Sequence, residues 1–390
     1  MILLKNAKVI SMDENLDREF LGDVLIDGKK IKAVGPELKA DGAEVIDLTG
    51  LTVVPGFIDA HCHIGLFEDG MGFEGDDGNE MSATSTPDMR AIDAINPFDK
   101  CFKEAMTGGV TTCVTGPGSA NVLGGTFCAI KMYGRDVEDM LLKDPVAMKA
   151  AFGENPKRVY QSQKTIFTRM QIAATLRRTL LKAKEYERKI KLAGDDESKL
   201  PDKDLAMEAL LPVIRRELPL KIHAHRADDI LTAVRIAKEF GLRFTLDHCT
   251  EGYLIPEQIK ESVDELGAGV IVGPLLTERS KIELRNLSFE APRKLFENNI
   301  PFAIMTDSPV IPEQYLSIEA GLAVREGLPE YEALKAITIN AGKITGLDDR
   351  IGSITAGKDA DIAVFDGSPL QTLSHCVMTF INGRLCYKRG

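Results

Sequence analysis

Apolar residues in the middle of the chain occur in short continuous runs, and each run is followed by a stretch with helical spacing. FIDAHCHI, LKIHAH, FTLDHC and IPFAIMTD are such runs, and DDILTAVRIAKEFG is one of the helical stretches. Continuous apolar runs of this length are typical of strands that a parallel sheet buries on both faces. We expect parallel βα units, repeated about eight times over 55–345, to close into a (β/α)₈ barrel.

Both ends of the chain have a different pattern. Residues 1–54 contain short alternating segments such as LLKNAKVIS and DVLIDGKKIKAVG, and Asp27-Gly28 between two of them is a strong hairpin turn. Residues 346–390 have a pattern similar to that of residues 1–54 and contain an Asn-Gly turn. Since chain ends usually lie close together at the surface, we predict that 1–54 and 346–390 form one small β domain.

Composition and charge narrow the classes of function. The 390 residues carry a formal charge of −11, which disfavours nucleic acid and anionic membrane as partners. The partner that we expect is a small-molecule substrate. No stretch approaches the roughly 18 to 20 apolar residues of a membrane span, and the amino terminus lacks the pattern of a signal peptide. The 7 cysteines form no CxxC pair. We therefore expect reduced thiols in a cytoplasmic protein.

Five of the 6 histidines lie at the carboxyl ends of apolar runs, at a place where a parallel barrel gathers its catalytic residues. Two-residue alternation puts His61 and His63 on one side of their strand, so both imidazoles can reach one ion. We predict that these two, together with His223 and His248, are metal ligands; the alternative is a hydrogen-bonded core histidine. His225 lies past the end of its strand, where it binds substrate or caps the loop.

Candidate carboxylates accompany these histidines. Asp307 ends another apolar run. There it could bind metal and take a proton from a metal-activated water, although an N-cap role is the alternative. A second metal would need a bridging anion, for which we favour Glu154. Lys149 could bridge instead if carbon dioxide carboxylated its amine, although a packed stem with a paired ammonium is the other interpretation.

Substrate recognition is assigned to basic residues near the same rim. Arg158, Arg169 and Arg226 follow rim strands and could clamp a substrate carboxylate, unless they are solvated charges at helix starts. We expect His225, Arg158 and Arg169 to bind substrate. The loop segments GDDGNE and GPGSANVLGG are further candidates for the pocket wall.

PGFIDAHCHIG, IHAH, LDHCTEG, MTDSP and the tail GSITAGKDADIAVFDG together resemble the amidohydrolase superfamily, in its imidazolonepropionase-like and Xaa-Pro-dipeptidase-like branch. The resemblance implies a distorted (β/α)₈ TIM barrel with a β-sandwich built from both termini. By position, the residues that match the family's metal ligands are His61, His63, His223, His248 and Asp307. The fourth-strand segment KAAFGENPKR is closer to the members with a bridging glutamate.

These observations predict a metal-dependent amidohydrolase. It would hydrolyse an amide, cyclic amide or dipeptide-like C–N bond of a small molecule through a metal-activated hydroxide. One or two divalent ions, with zinc the favoured metal, would supply the hydroxide. Asp307 would carry the proton, and a metal, His248 or both would polarise the substrate carbonyl. The alternatives are a deaminase of an aminated heterocycle and a non-catalytic assembly module. Barrels of this type often pair, which leaves a homo-oligomer open.

Overall fold

One eight-stranded sheet is made from both ends of the chain. The computed structural model describes residues 1–390. Numbered along the chain, the strands of this sheet are β1 (Ile2–Val9), β2 (Phe20–Asp27), β3 (Lys30–Gly35), β4 (Glu44–Asp47), β5 (Thr52–Pro55), β14 (Ile362–Phe365), β15 (Cys376–Ile381) and β16 (Arg384–Lys388). Their order is β16-β15-β14-β5-β1-β2-β3, with β4 paired to β1. The antiparallel pairing of β14 with β5 joins the two ends of the chain.

A second sheet of eight strands forms the barrel. Its strands are β6 (Phe57–Cys62), β7 (Val110–Thr115), β8 (Leu123–Lys131), β9 (Leu141–Ala151), β10 (Leu220–Ala224), β11 (Phe244–His248), β12 (Gly269–Val272) and β13 (Phe302–Ile304), in this order. Backbone hydrogen bonds close the gap between its first and last strands: His63 N donates to Ser308 O at 2.7 Å, and Asp307 N to His61 O at 3.3 Å. The predicted fold, a distorted barrel with a β-sandwich from both termini, is confirmed.

The expectation of parallel strands throughout is wrong at β8, which runs antiparallel to both β7 and β9. Only residues 116–122 connect β7 to β8. A parallel crossover needs a dozen or more residues, so this connection is too short to carry the chain back to the other end of the barrel. The segment GPGSANVLGG therefore contains this short connection and the start of β8.

Helices cover the outside of the barrel. They are α1 (Lys100–Thr107), α2 (Val137–Met140), α3 (Glu154–Gln161), α4 (Arg169–Ala193), α5 (Leu205–Ile214), α6 (Ala227–Phe240), α7 (Pro256–Leu266), α8 (Ala291–Glu297), α9 (Leu316–Arg325), α10 (Glu330–Ala336) and α11 (Ile339–Thr345). Helix α6 shows why they pack there: Ile230, Ala233 and Ala237 are buried at helical spacing, and Gly241 ends the helix at φ 69°. None of the helices has both the length and the apolarity of a membrane span.

Candidate metal centre

Five buried imidazoles gather at the carboxyl ends of the barrel strands. Ring centroids lie 5.1 Å apart for His61 and His63, 5.5 Å for His61 and His248, 4.3 Å for His223 and His248, and 4.6 Å for His223 and His225. All of them except His61 line a cavity of about 330 Å³. A larger cavity of about 460 Å³, between β1 and α10, contains no imidazole, so the candidate metal ligands lie at the smaller one.

The first group of candidate ligands consists of His61, His63 and Asp307. Asp307 Oδ1 lies 3.3 Å from Nε2 of His61 and 3.2 Å from Nε2 of His63. Neither His61 Nε2 nor this oxygen, both buried, has a hydrogen-bond partner. Ligand atoms of a tetrahedral zinc site, about 2.1 Å from the ion, lie about 3.4 Å from one another. The group therefore has the spacing of a cation site.

The other ring nitrogens determine which nitrogens face the cavity. His63 Nδ1 lies 2.7 Å from the carbonyl oxygen of Gly116, and His248 Nδ1 lies 3.0 Å from that of Gly273. A carbonyl oxygen only accepts, so each Nδ1 carries the hydrogen and each Nε2 carries a lone pair. Metal-binding histidines have this arrangement, because the outer hydrogen bond sets the tautomer.

The buried carboxylate of Asp247 sets the tautomer of His61. Asp247 Oδ2 lies 2.7 Å from His61 Nδ1 and 3.1 Å from Lys221 Nζ, while Thr245 Oγ1 donates to Oδ1 at 2.8 Å. Burial by itself raises the pKa of Asp247, but Lys221 and His61 outweigh it, and the pKa lies well below 3.8. Asp247 is therefore ionised and holds His61 with its Nε2 lone pair toward Asp307.

The second group consists of His223, His225 and His248, whose ligand atoms lie within 4.8 Å of one another. The hydroxyl groups of Ser119 and Thr250 lie 2.8 Å from Nδ1 of His223 and His225, respectively. These contacts again leave the Nε2 atoms facing inward.

Burial keeps the imidazoles of His61, His223, His225 and His248 neutral at neutral pH. It lowers the pKa of His61 to about 4 and that of His248 to about 3. It is also the largest reason why the pKa values of His223 and His225 lie well below 6.5. Neutral imidazoles are the form that binds metal.

The backbone conformation at Asp307 and hydrogen bonds to the buried Asp59 position the carboxylate of the first group. His248 and Asp307 both have positive φ, 66° and 54°, a conformation that few non-glycine residues adopt. Asp59 accepts from His61 N at 2.9 Å and from Thr306 N at 2.8 Å. It thereby ties β6 to the residue before Asp307. Burial raises the pKa of Asp59 to about 7.

Comparison with known proteins assigns the family. Residues 52–386 match the model of the Amidohydrolase family. The chain belongs to this family. A solved structure of an amidohydrolase from Thermotoga maritima MSB8 is 44% identical, covers 100% of both chains and superposes with a TM-score of 0.96. This chain is also similar to Amidohydrolase tasK of Hapsidospora irregularis, at 30% identity over 93% of its own length and 40% of that relative's. An imidazolonepropionase of Fusobacterium nucleatum subsp. nucleatum is 25% identical over 94% of this chain and 92% of its own.

Membership of the family makes this chain an enzyme that hydrolyses C–N bonds. Five predicted ligands, His61, His63, His223, His248 and Asp307, meet at the mouth of the barrel. His225 lies beside them, within the second group.

The structure does not bring Glu154 into this group. Its Oε1 accepts from Arg158 at 3.0 Å, and its side chain does not line the cavity. The apolar run ends at Phe152, and Gly153 turns the chain at φ 85°, so Glu154 starts helix α3 instead of ending the strand. The prediction of Glu154 as bridging ligand therefore conflicts with its position.

Lys149, the alternative, lies inside the barrel. It is fully buried, and its Nζ forms no hydrogen bond and no ion pair, so the paired ammonium of the structural interpretation is also absent. Nζ lies 5.4 Å from the ring centroid of Phe127, whose ring also packs against His61 at 5.3 Å. Burial lowers the pKa of Lys149 to about 8.

The arginines predicted to bind substrate lie elsewhere. Arg158 pairs with Glu154, and Arg169 donates to Asp229 at 2.8 Å. Neither of them lines the cavity, and Arg226 does not either. The cation in the cavity wall is Lys281, which pairs with no carboxylate. The prediction for Arg158 and Arg169 therefore conflicts with their positions, because helix-start carboxylates hold both side chains.

Sequence reasoning missed several polar residues of the wall. They are Asn79, Ser119, Asn155, Thr277, Ser280 and Lys281. Asn79 and Ser119 lie in the loop segments GDDGNE and GPGSANVLGG. The sequence indicated these segments as candidates for the pocket wall but did not single out either residue. Asn155 follows the turn at Gly153, and Lys281 lies in a long loop without any periodic pattern.

Proposed function

We propose that this amidohydrolase hydrolyses the C–N bond of an amide, cyclic amide or dipeptide-like small molecule with the help of two divalent ions, for which zinc is the favoured metal. One observation carries the proposal: Asp307 Oδ1 faces Nε2 of both His61 and His63 without a hydrogen bond between them. Acceptors directed at a common point in a buried site require a cation. Relatives named imidazolonepropionase and dihydroorotase support the reaction class.

The donor set fits zinc, which takes imidazole nitrogen and carboxylate oxygen. His61, His63 and Asp307 would hold one ion, and His223 and His248 would take part in holding another. When bound, such an ion lowers the pKa of a water to supply a nucleophile, and it polarises a carbonyl. Lys149 is suited to bridge the ions as a carbamate, which forms when its neutral amine attacks carbon dioxide and loses a proton.

Asp307 is the proton carrier of the proposed reaction. The Asp307 carboxylate would be kept ionised at neutral pH by a divalent ion held beside it, since a nearby positive charge lowers the pKa of a carboxyl group. It accepts the proton of the attacking water as the C–O bond forms, and it donates this proton to the leaving nitrogen as the C–N bond breaks.

His248 has a narrower role than the sequence predicted. Its Nδ1 hydrogen is directed at Gly273 O, and its pKa of about 3 excludes an imidazolium at neutral pH. Its Nε2 therefore has no hydrogen to donate to a carbonyl oxygen. A ligand role fits this tautomer, and polarisation of the carbonyl by His248 does not.

Lys281 points to an anionic substrate. It is the cation of the cavity wall and lacks a carboxylate partner, so a substrate carboxylate would supply the missing charge. The volume of about 330 Å³ suits a small molecule.

A substrate panel tests the proposal. The zinc-loaded enzyme is assayed for new amines from dipeptides and N-acyl amino acids, for ring opening of cyclic amides, and for ammonia release from aminated heterocycles. Hydrolysis of carboxylate-bearing amides that a chelator abolishes is the expected result. Ammonia release alone would support a deaminase instead.

A further inference from the structure

One face of helix α4 has no partner within the chain. Its exposed positions recur at helical spacing and form the α4 stripe, which consists of Arg178, Leu181, Lys182, Glu185, Lys189 and Leu192. Glu185 is already paired, with Arg188 at 2.7 Å, whereas the three cations of the stripe form no ion pair. The two leucines are 57% and 69% exposed. The stripe therefore presents positive charge and apolar surface that the fold itself leaves uncovered.

The loop after β6 has the opposite charge. Residues 68–81, the acidic loop, contain six carboxylates and no Lys or Arg. Asp69 pairs with Lys100, but four others are exposed and form no ion pair within the chain, namely Glu74, Asp76, Asp77 and Glu80. Phe73, which lies among them in the sequence, is 97% exposed. A large aromatic ring presented to solvent beside unpaired charges is typical of a surface that binds another protein.

The acidic loop ends beside the elements that lead into α4. Gln163 Nε2 donates to Met81 O at 3.5 Å, and Tyr160 OH donates to Ala83 O at 2.6 Å. Residues 162–168 then connect α3 to α4. In a two-fold dimer every contact between two different residues occurs twice, once in each direction. A patch and a neighbouring patch of opposite sign can therefore pair reciprocally between two copies.

We propose that the chain forms a two-fold homodimer in which the acidic loop of each copy docks on the α4 stripe of the other. The unpaired carboxylates of the loop meet the unpaired cations of the stripe, and the leucines of the stripe cover Phe73. Charge selects a second copy over an anionic membrane, because a chain with a formal charge of −11 is repelled by such a surface as a whole.

The interface reaches the cavity through the acidic loop. Phe67, just before the loop, lines the cavity and packs against His63 with ring centroids 5.8 Å apart. Asn79, within the loop, also lines the cavity and accepts from Ala120 N at 3.0 Å. Docking of the loop on a second copy holds both residues of the cavity wall in place. The dimer itself does not rest on the proposed function, and only its effect on substrate binding does.

Sedimentation equilibrium of the full chain tests the dimer. Wild type is expected to sediment as a dimer that weakens in 1 M salt, where the screening length falls to about 3 Å. The helix variant, Arg178→Glu, Lys182→Glu and Lys189→Glu, should dissociate at a concentration roughly 100-fold higher or more, because symmetry repeats every reversed contact.

The loop variant provides a charge swap that a folding defect cannot imitate. It carries Glu74→Lys, Asp76→Lys and Asp77→Lys, and by itself it should be as weak a dimer as the helix variant. In a mixture of the two variants, the negative stripe of one meets the positive loop of the other, and their unaltered patches also meet. The mixture should therefore associate about as tightly as wild type.

The matched control reverses three exposed cations of the β domain, Lys29→Glu, Lys39→Glu and Lys388→Glu, and should dimerise like wild type. A monomeric wild type at micromolar concentration, or a mixture of variants that does not associate, would overturn the interface. So would a monomeric wild type that binds phosphatidylglycerol vesicles through the α4 stripe. KM for the best amide should be severalfold higher in the helix variant than in wild type, at unchanged zinc content. An unchanged KM would overturn the link between the interface and the cavity.

Discussion

Asp247 Oδ2 lies 2.7 Å from Nδ1 of His61, with both side chains fully buried. The contact sets the tautomer of His61, and Lys221 balances the charge of Asp247 at 3.1 Å. The lone pair of His61 therefore faces Asp307 before any ion arrives, which makes the first group of ligands preorganised.

Asp247→Asn should weaken zinc binding. Loss of a carboxylate behind a metal-binding histidine typically costs 10- to 100-fold in metal affinity, and we expect about this loss, measured by competition with a zinc chelator. Asp228→Asn is the control, since that exposed carboxylate pairs only with Arg226. Equal affinities in the two variants would show that Asp247 does not orient His61.

Lys149 and Glu154 can be separated by substitution. Lys149→Met should lower the affinity for the second zinc ion by at least tenfold, because the bridging carbamate cannot form. Glu154→Gln should keep wild-type metal content, since the Glu154 side chain pairs with Arg158 and does not line the cavity. The opposite pattern in metal analysis would restore the glutamate as the bridge.

Lys281 should control the affinity for an anionic substrate. Hydrogen bonds to charged groups contribute about 1.5–3 kcal/mol, so Lys281→Met should raise KM about 10- to 100-fold and change kcat little. Steady-state kinetics on a carboxylate-bearing amide and on its uncharged counterpart measure this effect. Arg158→Met should leave both constants unchanged. A KM increase in Arg158→Met, and none in Lys281→Met, would reverse the assignment.

Glu319 gives the fold a pH dependence. It accepts from Leu276 N at 3.1 Å and holds the loop that carries Thr277 of the cavity wall. Burial raises its pKa to about 7, above the ordinary 4.5. A raised folded-state pKa means that the stabilisation is complete below pH 4.5 and is lost as the pH rises through about 7.

Glu319→Gln should remove that dependence. From pH 4.5 to 8, the stability of wild type should fall relative to the variant by up to about 3 kcal/mol, at about 1.4 kcal/mol per pKa unit. Urea unfolding of both proteins across this range measures the difference. A difference that stays constant with pH would contradict the raised pKa.

The sequence predicts much of the fold and the central ligands for a simple reason. Buried parallel strands are continuous apolar runs, so His61, His223 and Asp307 stand out as polar residues at their ends. Because side chains alternate between the two faces of a strand, His63, two residues after His61, is predicted to lie on the same face as His61.

What the sequence could not predict depends on the turns after strands. Glu154 lies two residues beyond an apolar run, and only the turn at Gly153 shows that it starts a helix. Lys281 lies in a loop without hydrophobic period, where no pattern predicts which side chains return to the barrel. The antiparallel β8 is apolar like its neighbours, so its direction is invisible in its composition.

Metal content tests the central claim most directly. The purified enzyme, the chelator-treated enzyme and a His61→Asn, His63→Asn variant are compared by mass spectrometry and by hydrolysis of the best amide of the panel. The account predicts two zinc equivalents in the enzyme, loss of one equivalent and of activity in the variant, and activity restored to the chelated enzyme by Zn²⁺. An enzyme that hydrolyses amides at full rate without stoichiometric metal would contradict it.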